Sequence, residues 1–312
     1  MRADDICARR CGGLRLTYAL APVDALLLGA LAGALFGLLA VAVRWGLSRG
    51  VPAEVGATVT SVIGFAVVGV IALVTGAFAD PIDTRDVLVF AAIGAVVPGL
   101  SQVAFVHAIR LAGAARAAVL IGVTPLVSFV LAAIFLGESL NAGLIAGAAL
   151  IVAAGASLSF ERVRPPGYRA VGALLALLCA GLFGVRDTLV RWASEDATLD
   201  PLVRTVASLA AAALVLAAWT WFVQRNEPPV QMRTALRAFA PAGFCLGVAY
   251  LCLIVALDRG RVTVVAPLNA TQSLWGVIFA ATLLGKREAV GPRLFAAALL
   301  VVAGGVLIGI SR

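Results

Sequence analysis

The chain has 312 residues, of which 62% are hydrophobic and 13% charged, with a mean hydropathy of +1.06 and a formal charge of +8. A soluble domain carries about 25% charged residues, so water cannot solvate this surface and the chain reads as an integral membrane protein. Its cations are 23 Arg and one Lys scattered between apolar runs, which suits loops at phospholipid headgroups and excludes a clustered nucleic-acid face.

Residues 1–22 form an N-terminal tail with Arg2, Arg9, Arg10 and Arg15. The apolar run that follows is too long for a secretory signal, and no small-residue cleavage site precedes Arg44, so the run reads as a retained first span. Cys7 and Cys11 flank Ala8-Arg9-Arg10 in this tail. They lack two further ligands for a metal and read as free thiols. Cys179, Cys245 and Cys252 lie inside apolar segments as small hydrophobes. Neither a metal nor a cofactor is expected.

A spanning helix needs about 20 mostly apolar residues to cross about 30 Å of hydrocarbon. Ten segments qualify: 23–43, 55–78, 87–108, 113–136, 141–160, 169–190, 202–223, 236–257, 262–284 and 290–310. The predicted fold is therefore an all-α bundle of ten transmembrane helices. The breaks carry turn chemistry or charge, as in Ser48-Arg49-Gly50-Val51-Pro52, Asp80-Pro81-Ile82-Asp83 and Asn226-Glu227-Pro228-Pro229. They are too short for a soluble domain.

The chain repeats itself. Residues 35–45 read LFGLLAVAVRW and residues 182–192 read LFGVRDTLVRW, 147 positions apart. Gly99 aligns with Gly247 and Leu136-Gly137 with Leu284-Gly285, both at an offset of 148. The predicted organisation is a first five-helix repeat over 23–160, a linker over 161–168 and a second repeat over 169–310. Because five is odd, the second repeat enters the membrane inverted. Loops opposite the N-terminus carry about 13 Arg and Lys against about 10 on its own side, a balance from which the positive-inside rule assigns no orientation.

The stretch Val123-Thr124-Pro125-Leu126-Val127-Ser128-Phe129-Val130-Leu131-Ala132-Ala133-Ile134-Phe135-Leu136-Gly137-Glu138 resembles the fourth span of EamA-type carriers of the drug/metabolite transporter superfamily. Residues 146–155, AGAALIVAAG, resemble the fifth. There are departures: Phe36-Gly37 stands where the family opens its first span with Trp-Gly, and Lys286 stands in place of the Glu that closes the second repeat. The resemblance implies a secondary carrier that moves small metabolites, often outward, without ATP. Independently, no GxxxxGK[ST] phosphate loop occurs.

A carrier needs a few polar groups at membrane depth. Arg186 and Asp187 are the strongest candidates, because a charge near a span's centre costs about 2.5–3.5 kcal/mol to insert. The spacing predicts an Asp187–Arg191 pair at i,i+4, with Arg186 about 100° away and in need of a substrate carboxylate or a helix C-terminus. A purely structural pair is the alternative. In the third span, Pro98 and Gly99 predict a kink beside Ser101 and Gln102, and His107 competes with Asp187 for proton coupling. Thr124 and Pro125 bisect the fourth span; Gly247 in the eighth and Pro267 in the ninth are further hinge candidates. Asn269, Gln272 and Ser273 fall on one face of the ninth span, and Tyr250 and Trp275 are offered as aromatic walls.

These readings converge on a secondary transporter, an exporter of small metabolites such as amino acids, working by alternating access in a bacterial inner membrane. Its expected partners are a small-molecule substrate, membrane lipid and, in one reading, a coupling proton, with no nucleic acid. A polytopic membrane enzyme or lipid-handling protein and a non-transporting scaffold are the alternatives; the first lacks any assembled His/Asp or Ser/His/Asp set in the sequence.

Overall fold

The computed structural model describes residues 23–79, 81–136, 142–159, 167–228, 230–260 and 262–310. Cys7, Cys11, Glu138 and most of the linker lie outside the described residues. The described chain is helical throughout. In order come α1 (Val23–Leu47), α2 (Ala53–Val74), α3 (Thr84–Ala112) and α4 (Ala114–Ile121 and Thr124–Leu136). Then come α5 (Ala142–Ser159), α6 (Ala170–Glu195), α7 (Pro201–Gln224) and α8 (Met232–Arg259). The last two are α9 (Val262–Ala270, Gln272–Phe279 and Ala280–Leu284) and α10 (Pro292–Ile310). The ten predicted spans are all present as helices. Six of them, α1–α3 and α6–α8, are individually long and apolar enough to cross a membrane.

Local chemistry sets the boundaries. Asp83 caps α3 by accepting from the Arg85 N–H at 2.8 Å, and Asp200 caps α7 by accepting from the Leu202 N–H at 2.8 Å. Pro201 then occupies the first turn of α7, where no backbone donor is needed. Between α3 and α4 the whole turn is Gly113 at φ 92°, a conformation that a side chain would strain.

Such short connections make successive helices antiparallel, so the bundle has two ends. We call the end reached by the C-terminus of α1 the far end and the other the near end.

Packing follows the repeat but crosses it. α1 packs most extensively on α8 and α9, and its counterpart α6 packs on α3 and α4. Likewise α2 lies on α7 and α8, α7 lies on α2 and α3, and α5 crosses α10. This is the pattern of a pseudo-two-fold axis relating the repeats. The helices of each repeat are held mainly by the other repeat. The packing units are α1, α2, α8 and α9 on one side and α3, α4, α6 and α7 on the other.

The repeated Leu-Phe-Gly now has a physical reason. A Cβ on Gly37 would lie 2.7 Å from the Gly276 backbone nitrogen, and one on Gly184 would lie 2.9 Å from the Val127 Cβ. Both glycines therefore bring their helices to a distance that a side chain forbids, α1 onto α9 and α6 onto α4.

Candidate functional site

The buried charges of α6 sit between the two packing units. Arg186 is 3% exposed and Asp187 is wholly buried. The predicted Asp187–Arg191 pair is not what forms. Arg186 folds back along its own helix and donates from Nε at 2.9 Å and from Nη2 at 2.8 Å, both to Oδ1 of Asp187. Arg191 instead donates from Nη1 to the carbonyls of Leu257 and Asp258, each at 3.2 Å. It also lies 3.5 Å from Glu195. The reason is positional. Arg191 reaches the last turn of α8, whose terminal carbonyls have no helical partner and carry the negative end of the dipole. Arg186 lies deeper, where Asp187 is the carboxylate within reach.

Three aromatic rings surround the Arg186 guanidinium. Its central carbon lies 4.9 Å from the Phe183 centroid, 5.6 Å from that of Tyr250 and 5.9 Å from that of Phe36. Such contacts are worth about 0.5–2 kcal/mol each, increasing as water is removed. Phe36 and Phe183 are the equivalent residues of the two repeated frames, and sequence reasoning did not place either in the site. Their recurrence 147 residues apart, in the frame that carries the charged pair, was the available signal.

Tyr250 comes to the site as anticipated, and its hydroxyl donates to the carbonyl of Val97 at 3.0 Å. That carbonyl is presented because α3 breaks there: Val97 has φ −139° and ψ 111°, followed by a cis bond to Pro98. The predicted kink at Pro98 and Gly99 thus exists, flanked by helix on both sides. Gly247, its counterpart, is not a kink. α8 runs unbroken through it, and a Cβ there would lie 2.7 Å from the Gly64 carbonyl, so Gly247 serves a close crossing with α2. Pro125 follows the interruption of α4 at Gly122-Val123, and Pro267 lies one turn before that of α9 at Thr271.

The remaining candidates divide. Gln102, Asn269 and Gln272 are buried at 2%, 3% and 6% exposure. Among the described residues, Gln102 Nε2 and Asn269 Oδ1 have no hydrogen-bond partner, and neither does Oδ2 of Asp187. Buried orphans of this kind are rare in native proteins. Ser61 on α2 shares this condition at Oγ and was not singled out from the sequence. By contrast Ser101, Thr124 and Ser273 are buried but donate to their own helices, at the carbonyls of Pro98, Ile121 and Ala270. Trp275 is a correction: it is 38% exposed and stacks on Phe279 at 5.6 Å, so it faces outward and is no wall of the charged site. His107 lies toward the far end, with Nδ1 3.0 Å from the Val103 carbonyl and Nε2 3.3 Å from Glu54. It ties α3 to α2 and makes no described contact with Asp187. Among the described residues, no group of three or more His, Cys, Asp or Glu could hold a metal.

Arginines span both ends of the interface between the packing units. At the far end Arg44 donates from Nη1 to the carbonyl of Arg110 at 3.2 Å and pairs through Nε with Glu288 at 2.8 Å. Arg116 donates to the backbone carbonyls of Glu288 at 2.8 Å and Ala289 at 3.3 Å. At the near end, besides the Arg191 contacts, Arg204 pairs with Asp258 at 2.6 Å and donates to the Leu199 carbonyl at 2.7 Å. A buried charged pair ringed by aromatic side chains from opposing units thus lies between arginine contacts at each end of the interface.

The family comparison decides the class. The model of the EamA-like transporter family matches residues 24–160 and again residues 170–310. The chain belongs to the EamA-like transporter family. This EamA-like chain is thus a multi-pass membrane transporter of the drug/metabolite transporter superfamily, with one family unit per repeat. A solved structure described as "Crystal structure of protein" shares the fold, with a TM-score of 0.65 at 23% identity over 91% of this chain and 96% of that one. No curated protein matches the chain by sequence.

Proposed function

We propose that this EamA-like transporter carries small zwitterionic metabolites, amino acids and related compounds, outward across a bacterial inner membrane by alternating access. One observation carries the reading: the buried Arg186–Asp187 pair is half used. A single carboxylate oxygen takes the bonds from Nε and Nη2, which leaves Oδ2 of Asp187 without a partner among the described residues and Nη1 of Arg186 outside the pair. A substrate carboxylate fits the free guanidinium edge, and an ammonium fits the free carboxylate oxygen. Gln102 Nε2 adds a donor and Asn269 Oδ1 an acceptor. Phe36, Phe183 and Tyr250 then offer apolar surface to the rest of the solute.

The charge balance explains why a zwitterion suits this site. Empty, the pair is internally neutral. When a carboxylate draws Arg186 away, Asp187 would be left as an uncompensated buried charge. A substrate ammonium supplies that compensation directly. A carboxylate without an amine would require Asp187 to take up a proton, and this is where proton coupling enters. Movement follows from the packing: the unit of α1, α2, α8 and α9 rocks against that of α3, α4, α6 and α7, opening one arginine-latched end at a time. Outward transport is the direction that the resemblance to such carriers implies.

The test is metabolite profiling of the medium from cells producing either the native chain or Asp187→Asn at matched membrane levels. An amine-bearing carboxylate enriched outside only with the native chain is the expected result. Identical profiles, followed by no exchange of labelled amino acids in proteoliposomes, would overturn the proposal.

A further inference from the structure

The two ends of the bundle are built alike in backbone and oppositely in charge. Arg44 and Arg191 occupy the same place in the two frames, and each reaches the carbonyl of an equivalent residue, Arg110 or Asp258. At the near end the Asp258 carboxylate is satisfied by Arg204. At the far end the corresponding side chain is a cation, and among the described residues no acid pairs with it. Glu288 is committed to Arg44 and, through Oε2, to the Ala115 N–H at 3.4 Å. Glu54 is committed to His107.

Arg110 is itself exposed and borders open space. A cavity of about 580 Å³ opens at the far end, lined by Arg44, Val51, Pro52, Arg110, Leu284 and Glu288 among others. Its charged lining comprises two cations and one anion. It lies where α1, α3 and α9 end, at the level of lipid headgroups. The N-terminus of α2 also opens here at Pro52, with no side chain capping its first N–H groups, so the positive end of that helix adds to the local field.

We infer that the far-end cavity is an oxyanion site, in which Arg110 and Arg44 hold a phosphate or carboxylate group. The site is separate from the Arg186–Asp187 pair and does not rest on the transport proposal. Two sources share the chemistry: a phospholipid headgroup, or a soluble anion. Because Arg44 belongs to one packing unit and Arg110 to the other, an oxyanion bridging them also bears on closure of this end.

The experiment is thermal unfolding of the full chain in dodecyl maltoside, read by intrinsic fluorescence. The probes are inorganic phosphate, sodium chloride at matched ionic strength, and mixed micelles carrying phosphatidylglycerol or phosphatidylcholine. A saturable rise of about 2–4 °C is expected with phosphate, phosphatidylglycerol or both, and not with chloride or phosphatidylcholine. Arg110→Gln is expected to abolish the rise, whereas Arg225→Gln, at the same end but stacked on Phe222 at 4.9 Å, is expected to keep it. A rise with phosphate identifies a soluble oxyanion as sufficient; a rise with phosphatidylglycerol alone identifies the headgroup. No rise with either probe, or an unchanged rise in Arg110→Gln, would overturn the inference. Each variant is compared with its own unfolding temperature in chloride, which separates loss of binding from loss of fold.

Discussion

α1 and α6 are two answers to one frame. Both carry Phe and Gly at the head of the frame and Arg near its end, and in both the Gly makes a close crossing with the other repeat and the Arg reaches the last turn of the third helix of its own repeat. Between these shared points α1 has Leu39-Ala40, at 2% and 1% exposure, while α6 has Arg186-Asp187 in equal burial. The shared residues serve the backbone architecture, which the pseudo-symmetry imposes on both copies. In the proposed function the differing pair serves the solute, and a single charged centre between the units needs only one copy. The comparison also separates two uses of arginine: at the helix ends it satisfies carbonyls, and within the bundle it pairs with the neighbouring carboxylate.

The largest effect is expected from Asp187→Asn, which leaves Arg186 buried without its counter-charge. Breaking such a pair costs about 3–5 kcal/mol. The purified variant should unfold at markedly lower temperature and lose transport in proteoliposomes. Leu39→Met in α1, at the position equivalent to Arg186, should leave both readouts nearly unchanged.

Next come the two end arginines. Arg44→Gln strands Glu288, whose side chain is fully buried, so a loss of about 3 kcal/mol is expected. Arg191→Gln gives up carbonyl bonds and a contact with the exposed Glu195, so a loss of about 1–2 kcal/mol is expected. Equal shifts in unfolding temperature would show that the ends are energetically equivalent after all.

The paired glycines should differ in the same direction by less. Gly37→Ala meets the Gly276 nitrogen at 2.7 Å, whereas Gly184→Ala meets the Val127 Cβ at 2.9 Å, so the overlap with atoms fixed by the backbone is the greater in α1. About 1–3 kcal/mol is expected for Gly37→Ala and less for Gly184→Ala, again from thermal unfolding.

The smallest contrast lies in the rings. Phe183→Leu removes a contact at 4.9 Å and Phe36→Leu one at 5.9 Å, so losses of about 0.5–2 kcal/mol are expected, with Phe183→Leu the larger. Apparent affinity for the exported solute should fall in that order, and the reverse order would move Arg186 toward α1 in the loaded state.

Much of this was legible before any coordinates. Apolar run length set the number of helices, because lipid leaves a spanning backbone few other ways to satisfy its hydrogen bonds. The 147-residue echo set the inversion, because an odd helix count admits no other insertion. Burial of Arg186, Asp187, Gln102, Tyr250 and Asn269 also followed from their cost in hydrocarbon. Their partners did not follow. Helical periodicity paired Asp187 with Arg191, but the carbonyls that drew Arg191 away belong to α8, more than 60 residues along the chain. Periodicity likewise could not say that Trp275 looks outward, since that depends on which side of α9 meets Gly37. The sequence by itself determined what lipid and the repeat enforce, namely helices, their order and the residues too polar to face hydrocarbon. Only the tertiary structure decided which charge meets which, because such contacts depend on how distant helices cross, and periodicity along one helix carries no information about the other.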